Sequence, residues 1–204
     1  AHGSNPCGTM VQASDSTMYG LTFMGGTSGS GVIFSYHPKK DTLIRKVNFN
    51  GINGSYPDGS LIITKTGTIL GQASAGGAND NGVLFRFNKQ ASTITVLLNF
   101  LSSTNGAGPN TLCQAADGKV YGMTFHGGDN DAGVLYKIDT ISFAYTKKCD
   151  LNKAIQGKNP KGTMLLASNR KLYGTASGGG FYNKGVLFEV DPKTKKFTKL
   201  ADFN

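Results

Sequence analysis

Short segments of alternating hydrophobic and polar residues, separated by glycine-rich loops, run along the whole chain. In "GVIFSYH" the side chains of Val32, Phe34 and Tyr36 fall on alternate positions, and "GVLFRFN" repeats the pattern. A period of two is typical of a β-strand, because successive side chains point to opposite faces of the sheet. No segment of helix length shows a 3.6-residue period. The pattern therefore predicts an all-β protein built from many short strands.

The same order of segments occurs four times. It reads "TMYGLTFMGGTSGSGVIFSYHP", "TILGQASAGGANDNGVLFRFN", "KVYGMTFHGGDNDAGVLYKID" and "KLYGTASGGGFYNKGVLFEVDP". The glycine after the first aromatic or leucine residue recurs at Gly20, Gly71, Gly122 and Gly174, at spacings of 51, 51 and 52 residues. A fixed period indicates a repeat architecture. We expect one domain over residues 1–204, with units at about 6–56, 57–108, 109–159 and 160–204, the last completed by residues 1–5.

Each unit contains four segments of strand length, which we number first to fourth. The first unit supplies "GTMVQAS", "TMYGLTFM", "GVIFSYH" and "TLIRKVNF". Turn residues separate them, such as "DGK" at 117–119 and "DPKTK" at 191–195. Tandem four-stranded units of 40 to 50 residues are typical of propeller blades. We therefore predict a β-propeller of four blades. The alternative is half of an eight-bladed ring completed by dimerisation, so both a monomer and a homodimer are considered.

The last unit resembles a known family in "LYGTASGGG", "NKGVLFEVDP" and "FTKLADFN". These segments are similar to the bacterial tandem-repeat family called GloVer, and the order of the strands is also similar to NHL-type propeller blades. The resemblance covers all four units. It implies a propeller-like repeat in an exported protein, with a periplasmic, cell-surface or extracellular location. It implies no general activity. The start at "AHGSN", without Met, fits either a processed protein or an excised segment.

The chain is basic, with 21 Lys and Arg against 12 Asp and Glu and a formal net charge of +9. Several of these cations fall in the turns between first and second or third and fourth strands of the first and last units. Such a patch attracts acidic glycans or other acidic polymers. Nucleic acid is disfavoured, because no aromatic residues for base stacking are interleaved with the cations. The candidate patch comprises Lys39, Lys40, Arg170, Lys171, Lys193, Lys195 and Lys196.

The loops between second and third strands form a second candidate surface. Their glycine pairs lack the Lys-Ser/Thr pair and the helix of a phosphate loop, so we interpret them as turns. "ANDN" and "DNDA" offer oxygen ligands suited to Ca²⁺, but two units lack them, and we predict no cofactor while leaving calcium open. Phe181 and Tyr182 are a candidate aromatic platform. The candidate ligand-binding residues are His126, Asp129, Asn130, Asp131, Phe181, Tyr182 and Asn183.

The sequence offers few candidate catalytic residues. Cys7, Cys113 and Cys149 lie at unrelated places in their units, which argues against a repeated metal or disulfide framework. Glu189 is the only glutamate, and no pair of titratable residues converges by spacing. We therefore predict no catalytic residue and no metal site. The favoured function is a non-catalytic exported interaction module, a protein–protein assembly component of a bacterial envelope or extracellular complex. The alternatives are carbohydrate or acidic-polymer binding and, second, a propeller lyase or hydrolase.

Overall fold

The chain folds into two compact halves. A computed structural model describes residues 2–204. The N-terminal half extends to Phe100 and the C-terminal half begins at Leu101. Each half contains two antiparallel sheets. The prediction of one domain over the whole chain stays a prediction.

The N-terminal half contains eight strands. Its first sheet consists of β1 (Ser4–Gln12), β2 (Met18–Met24), β3 (Val32–His37) and β4 (Thr42–Asn48). Its second sheet consists of β5 (Ile62–Ile63), β6 (Ile69–Ala73), β7 (Val83–Asn88) and β8 (Thr93–Asn99). A 3₁₀ turn, Pro38–Lys40, connects β3 to β4.

The C-terminal half opens with the short helix α1 (Ser102–Asn105) and contains nine strands. Its first sheet consists of β9 (Ala107–Gln114), β10 (Val120–His126), β11 (Val134–Ile138) and β12 (Tyr145–Asp150). Its second sheet consists of β13 (Lys158–Pro160), β14 (Leu165–Leu166), β15 (Leu172–Gly178), β16 (Val186–Asp191) and β17 (Lys196–Asp202).

The strands of each sheet pair in chain order, and every pair is antiparallel. This confirms the predicted four-stranded antiparallel repeat. The last sheet differs because its first strand is divided: β13 and β14 both pair with β15. The division falls between Pro160 and Leu165, where Gly162 has a φ of +77°. A residue in that left-handed region leaves the extended conformation and interrupts the strand.

A glycine of the second strand lies beneath an aromatic ring of the third strand in every sheet. A Cβ atom built on any of these glycines would come within 2.4–2.5 Å of the ring. The ring and the glycine are also direct partners across the two strands. The pairs are Gly20–Phe34, Gly71–Phe85, Gly122–Tyr136 and Gly174–Phe188. The recurring glycine is therefore required by packing, since any side chain would displace the ring.

The core of each half is shared by its two sheets. In the N-terminal half, Leu21 and Ile33 of the first sheet pack in one cluster with Phe85 of the second. The third strands are therefore buried on both faces over part of their length: in β7, Val83 and Leu84 are as buried as Phe85, and exposed residues appear only from Arg86 onward. This differs from the simple alternation of the sequence pattern, because a sheet covered on both faces has apolar residues at consecutive positions.

All three cysteines are reduced and half-buried. The Sγ of Cys7 donates a hydrogen bond to the carbonyl oxygen of Pro57 at 2.8 Å. Burial raises the pKa of the Cys7 and Cys149 thiols to about 11, and it raises the pKa of Cys113 as well. Because the thiolate is the reactive form, these residues act as small apolar side chains at neutral pH.

We expect Gly122→Ala to destabilise the protein by about 1–3 kcal/mol, because the added methyl group overlaps the Tyr136 ring. Chemical denaturation would measure the change in the free energy of unfolding. The double variant Gly122→Ala/Tyr136→Val is the control, since it removes the ring that causes the overlap. The two single effects should then not add. Strict additivity would contradict the packing explanation.

Candidate interaction surfaces

The loops between second and third strands share one internal frame. The fifth loop residue has a positive φ in all four units, and from the second unit onward it is Asp or Asn. Its Oδ1 accepts a hydrogen bond from the first glycine of the loop: Gly76 to Asp80 at 2.9 Å, Gly127 to Asp131 at 2.8 Å and Gly179 to Asn183 at 3.2 Å. In the first unit Gly25 donates to the carbonyl oxygen of Gly29 instead. The Asx residues thus close their own turns.

A second anchor ties each loop to the end of the fourth strand. A side-chain Oδ1 at that end accepts a hydrogen bond from the N–H group of the third loop residue. The acceptor–donor pairs are Asn48–Thr27 (3.1 Å), Asn99–Ala78 (2.8 Å), Asp150–Asp129 (3.2 Å) and Asp202–Phe181 (2.8 Å). Each loop is therefore held at both ends, and its backbone is preorganised.

Among the polar candidates of the third unit, Asn130 and Asp131 belong to this frame, whereas His126 and Asp129 make separate contacts. Asn130 Nδ2 donates to the carbonyl oxygen of Leu151 at 2.9 Å, and Asp131 closes the turn. The imidazole of His126 packs edge-on against Phe125. Asp129 is exposed and lies 4.0 Å from the Lys147 ammonium group. Within residues 2–204, no group of three or more His, Cys, Asp or Glu residues is arranged to hold a metal ion.

The loop of the fourth unit carries two aromatic residues where the third unit has Asp129 and Asn130. We call residues 179–185 the aromatic loop. Phe181 is 81% exposed and Tyr182 is 53% exposed, and their rings meet edge to face with centroids 4.9 Å apart. In the preceding loops, Asn79 and Asn130 donate to a backbone carbonyl. In the described chain the Tyr182 side chain makes no such bond, so the aromatic loop has exposed ring surface in place of this hydrogen bond.

An apolar residue of the connection before β13 lies close to the aromatic loop. The carbonyl oxygen of Lys153 accepts a hydrogen bond from the N–H group of Gly180 at 2.8 Å, which places the two segments side by side. Two residues further on, Ile155 is 63% exposed. Exposed apolar side chains thus occur on adjacent segments, a feature that marks interaction sites when it is extensive.

The candidate basic residues are divided between the halves. Lys39 and Lys40 belong to the N-terminal half and the other five to the C-terminal half. Lys171 is neutralised by an ion pair, with its Nζ 2.6 Å from Glu189 Oε1. This contact lowers the pKa of Glu189 and raises that of Lys171. Arg170 and Lys193 have no carboxylate of the described chain within 4 Å.

The turns of each half line a cleft between the two sheets of that half. In the C-terminal half the cleft has a volume of about 460 Å³ and is lined by Asp117, Arg170, Asp191 and Lys193, among others. A cleft at the matching turns of the N-terminal half has about 310 Å³. There Lys89 Nζ lies 2.7 Å from Asp15 Oδ2, and the contact lowers the pKa of Asp15 to about 2.

Four antiparallel sheets with repeated loops and turns define a repeat protein of the β-propeller kind. The chain belongs to the Gloeobacter/Verrucomicrobia repeat family, whose model matches residues 1–113 and 62–204. This confirms the family resemblance inferred from the repeated segments. No curated protein matches the chain in sequence. None of the helices in residues 2–204 has the length and apolar character needed to cross a membrane.

Solved structures share the fold at low sequence identity. The extracellular domain of BT4673, a hybrid two-component system protein from B. thetaiotaomicron, matches with a TM-score of 0.66 and 13% identity over 98% of this chain and 23% of that one. A chain of a nidogen/laminin complex matches with a TM-score of 0.67 and 11% identity, over 97% of this chain and 65% of that one. TolB from Acinetobacter baumannii matches with a TM-score of 0.59 and 14% identity, over 96% of this chain and 43% of that one. The chain therefore spans less than two thirds of each of these chains.

We expect Asp202→Ala to increase hydrogen exchange at the Phe181 amide, because its acceptor is lost, whereas Asp202→Asn keeps an oxygen there and should preserve protection. Nuclear magnetic resonance would measure the exchange rate of the Phe181 amide in both variants. Lys199 and the Phe181 N–H group lower the pKa of Asp202 below its ordinary 3.8. The charged form is thus favoured by folding, so its contribution is complete above pH 3.8 and is lost as the pH falls further. Equal exchange in both variants would contradict this anchor.

Proposed function

We propose that this chain is a non-catalytic interaction module of an exported bacterial protein, and that the aromatic loop binds a protein partner. The observation that carries the proposal is the exposed Phe181–Tyr182 pair on a loop held by hydrogen bonds at both ends. Exposed aromatic residues on a rigid frame supply much of the energy of protein–protein binding, since little conformational entropy is lost on association.

A protein partner fits the loop better than a carbohydrate does. A sugar ring stacked on an aromatic side chain also requires hydrogen-bonding groups around its edge. In this loop, however, Asn183 accepts from Gly179, and Asp202 accepts from Phe181 and pairs with Lys199. Asn183 and Asp202 thus already have partners in the protein, whereas the two rings are exposed to solvent. Carbohydrate binding is the second candidate, supported by the aromatic pair alone.

An exported location is part of the proposal. Two observations support it: the chain belongs to a family whose repeats imply an exported protein, and one of the similar structures is an extracellular domain. The lyase and hydrolase alternatives find less support, because Asp129, Asp131 and His126 contact different parts of the loop frame rather than one another.

We further propose that the four sheets are the blades of one four-bladed propeller, since the chain contains four complete repeats. The expected solution mass is then that of a single chain, 21.5 kDa. Light scattering would measure it, and a mass of two chains would favour the eight-bladed alternative.

The test of the interaction surface uses Phe181→Ala/Tyr182→Asn, which gives the aromatic loop the residues found at Ala78 and Asn79 of the second unit. The variant should fold, because Asn donates to the backbone in that position. Partners captured from host extract on the immobilised protein would be identified and their affinities measured by surface plasmon resonance. We expect a loss of about 2 kcal/mol, roughly 30-fold in Kd.

The matched control is Thr27→Ala/Ser28→Asn, which makes the corresponding change in the first unit. It should leave the affinity unchanged. Unchanged binding by the aromatic-loop variant would overturn the assignment of this surface. A glycan array measured at physiological salt separates the second candidate: glycan binding that requires the two rings would replace the protein partner by a carbohydrate.

A further inference from the structure

The cleft of the C-terminal half is open where its counterpart is bridged. In the N-terminal half, Lys89 crosses the cleft to Asp15. The matching acidic residue of the C-terminal half is Asp117, but Pro192 stands in the position of Lys89. Proline has no amine to reach the carboxylate. The two halves thus contain matching clefts, one with an internal ammonium group beside the aspartate and one without it.

Asp117 retains capacity to bind a cation. Its Oδ1 accepts from the N–H group of Lys119 at 3.0 Å, and its Oδ2 accepts from the Tyr121 hydroxyl at 3.2 Å. A carboxylate has about four acceptor sites, so two are left. Burial lowers the pKa of Lys148, an effect that the charge of Asp117 opposes, and no ammonium of the described chain lies within 4 Å of the Asp117 carboxylate.

Two cations on the same cleft replace neutral residues of the N-terminal half. Arg170 occupies the place of Gly67, and Lys193 that of Gln90. Arg170 takes a positive φ of 65°, a conformation that glycine adopts without strain. Of the other charges on the cleft, Lys171 pairs with Glu189, and Asp191 accepts from the N–H groups of Lys193 and Thr194 but keeps two acceptor sites, as Asp117 does.

We propose that this cleft binds a small zwitterion, an amino acid or a short peptide. The ligand's ammonium group takes the position at Asp117 that Lys89 fills at Asp15, and its carboxylate binds Arg170 and Lys193. The volume of about 460 Å³ lies within the range of small-molecule sites. The cleft is formed by the turns at the opposite strand ends from the aromatic loop, so this inference is independent of the proposed protein partner.

The probes are mixtures of Gly-X dipeptides, with their N-acetylated and C-amidated forms as matched controls. Saturation-transfer NMR would detect binding to the full chain, and calorimetry would measure the Kd of each positive dipeptide. We expect binding of at least one free dipeptide, weakened about two- to fivefold by either blocking group, as for loss of one exposed ion pair. Equal binding of the N-acetylated form would show an anion site only and would overturn the zwitterion.

The variants use the N-terminal half as a template. Pro192→Lys restores the internal ammonium group and should compete with the ligand, while Arg170→Gly introduces the residue found at Gly67 and should weaken binding without impairing folding. Asp117→Asn should act in the same direction as Pro192→Lys. The control is Asp15→Asn, which alters only the bridged cleft and should leave the affinity unchanged. Absence of any dipeptide binding, or binding unaffected by Pro192→Lys and Arg170→Gly in the folded protein, would overturn the proposal.

Discussion

The structure depends on the contact between a glycine of the second strand and an aromatic ring of the third. The same contact occurs in all four sheets. Glycine in a strand costs about 0.5–1 kcal/mol relative to alanine, whereas burying an aromatic side chain contributes about 1.5–3 kcal/mol, so the exchange favours the ring. Because Phe85 and Phe188 lie in the cores shared by neighbouring sheets, the contact also joins one repeat to the next within each half. This explains why the glycine persists at Gly71, where leucine replaces the usual tyrosine before it.

The loop frame separates the residues that maintain structure from those that are free to vary. The turn-closing Asx residue and the acceptor at the end of the fourth strand hold the backbone. The third loop residue differs in all four units, whereas the fourth is Asn in two of them and donates to a backbone carbonyl there. A loop built in this way can change its exposed side chains without altering its conformation. The exposed rings of Phe181 and Tyr182 occupy these two positions, and the turn-closing bond and the fourth-strand acceptor are both kept in their loop.

Much of the fold was predictable from the sequence because it depends on local and periodic signals. The 51-residue period, the order of the strands and the turns at 117–119 and 191–195 follow from residues that are close in the chain. The roles of individual polar residues were less accessible. The sequence around Asp131 is rich in possible calcium ligands, but the carboxylate of Asp131 accepts a hydrogen bond from Gly127 and closes the turn. The sequence places Lys171 in a basic patch, but Glu189, on the neighbouring strand, pairs with it. The strand pattern does not indicate the cleft at Asp117, although the aligned repeats show the replacement of Lys89 by Pro192.

The departures from the repeat concentrate in the last unit, and they have a common physical character. Tyr182 gives up a hydrogen bond that asparagine makes in the two preceding loops. Arg170 adopts a positive φ where two of the other units have glycine. Each change sacrifices local stability. Tyr182 gains an edge-to-face contact with Phe181, but both rings stay exposed to solvent. Residues that break the local rules of a fold without internal compensation are expected at functional sites. The other three units thus show what the scaffold requires, and their difference from the fourth separates the residues that build the fold from those available for binding.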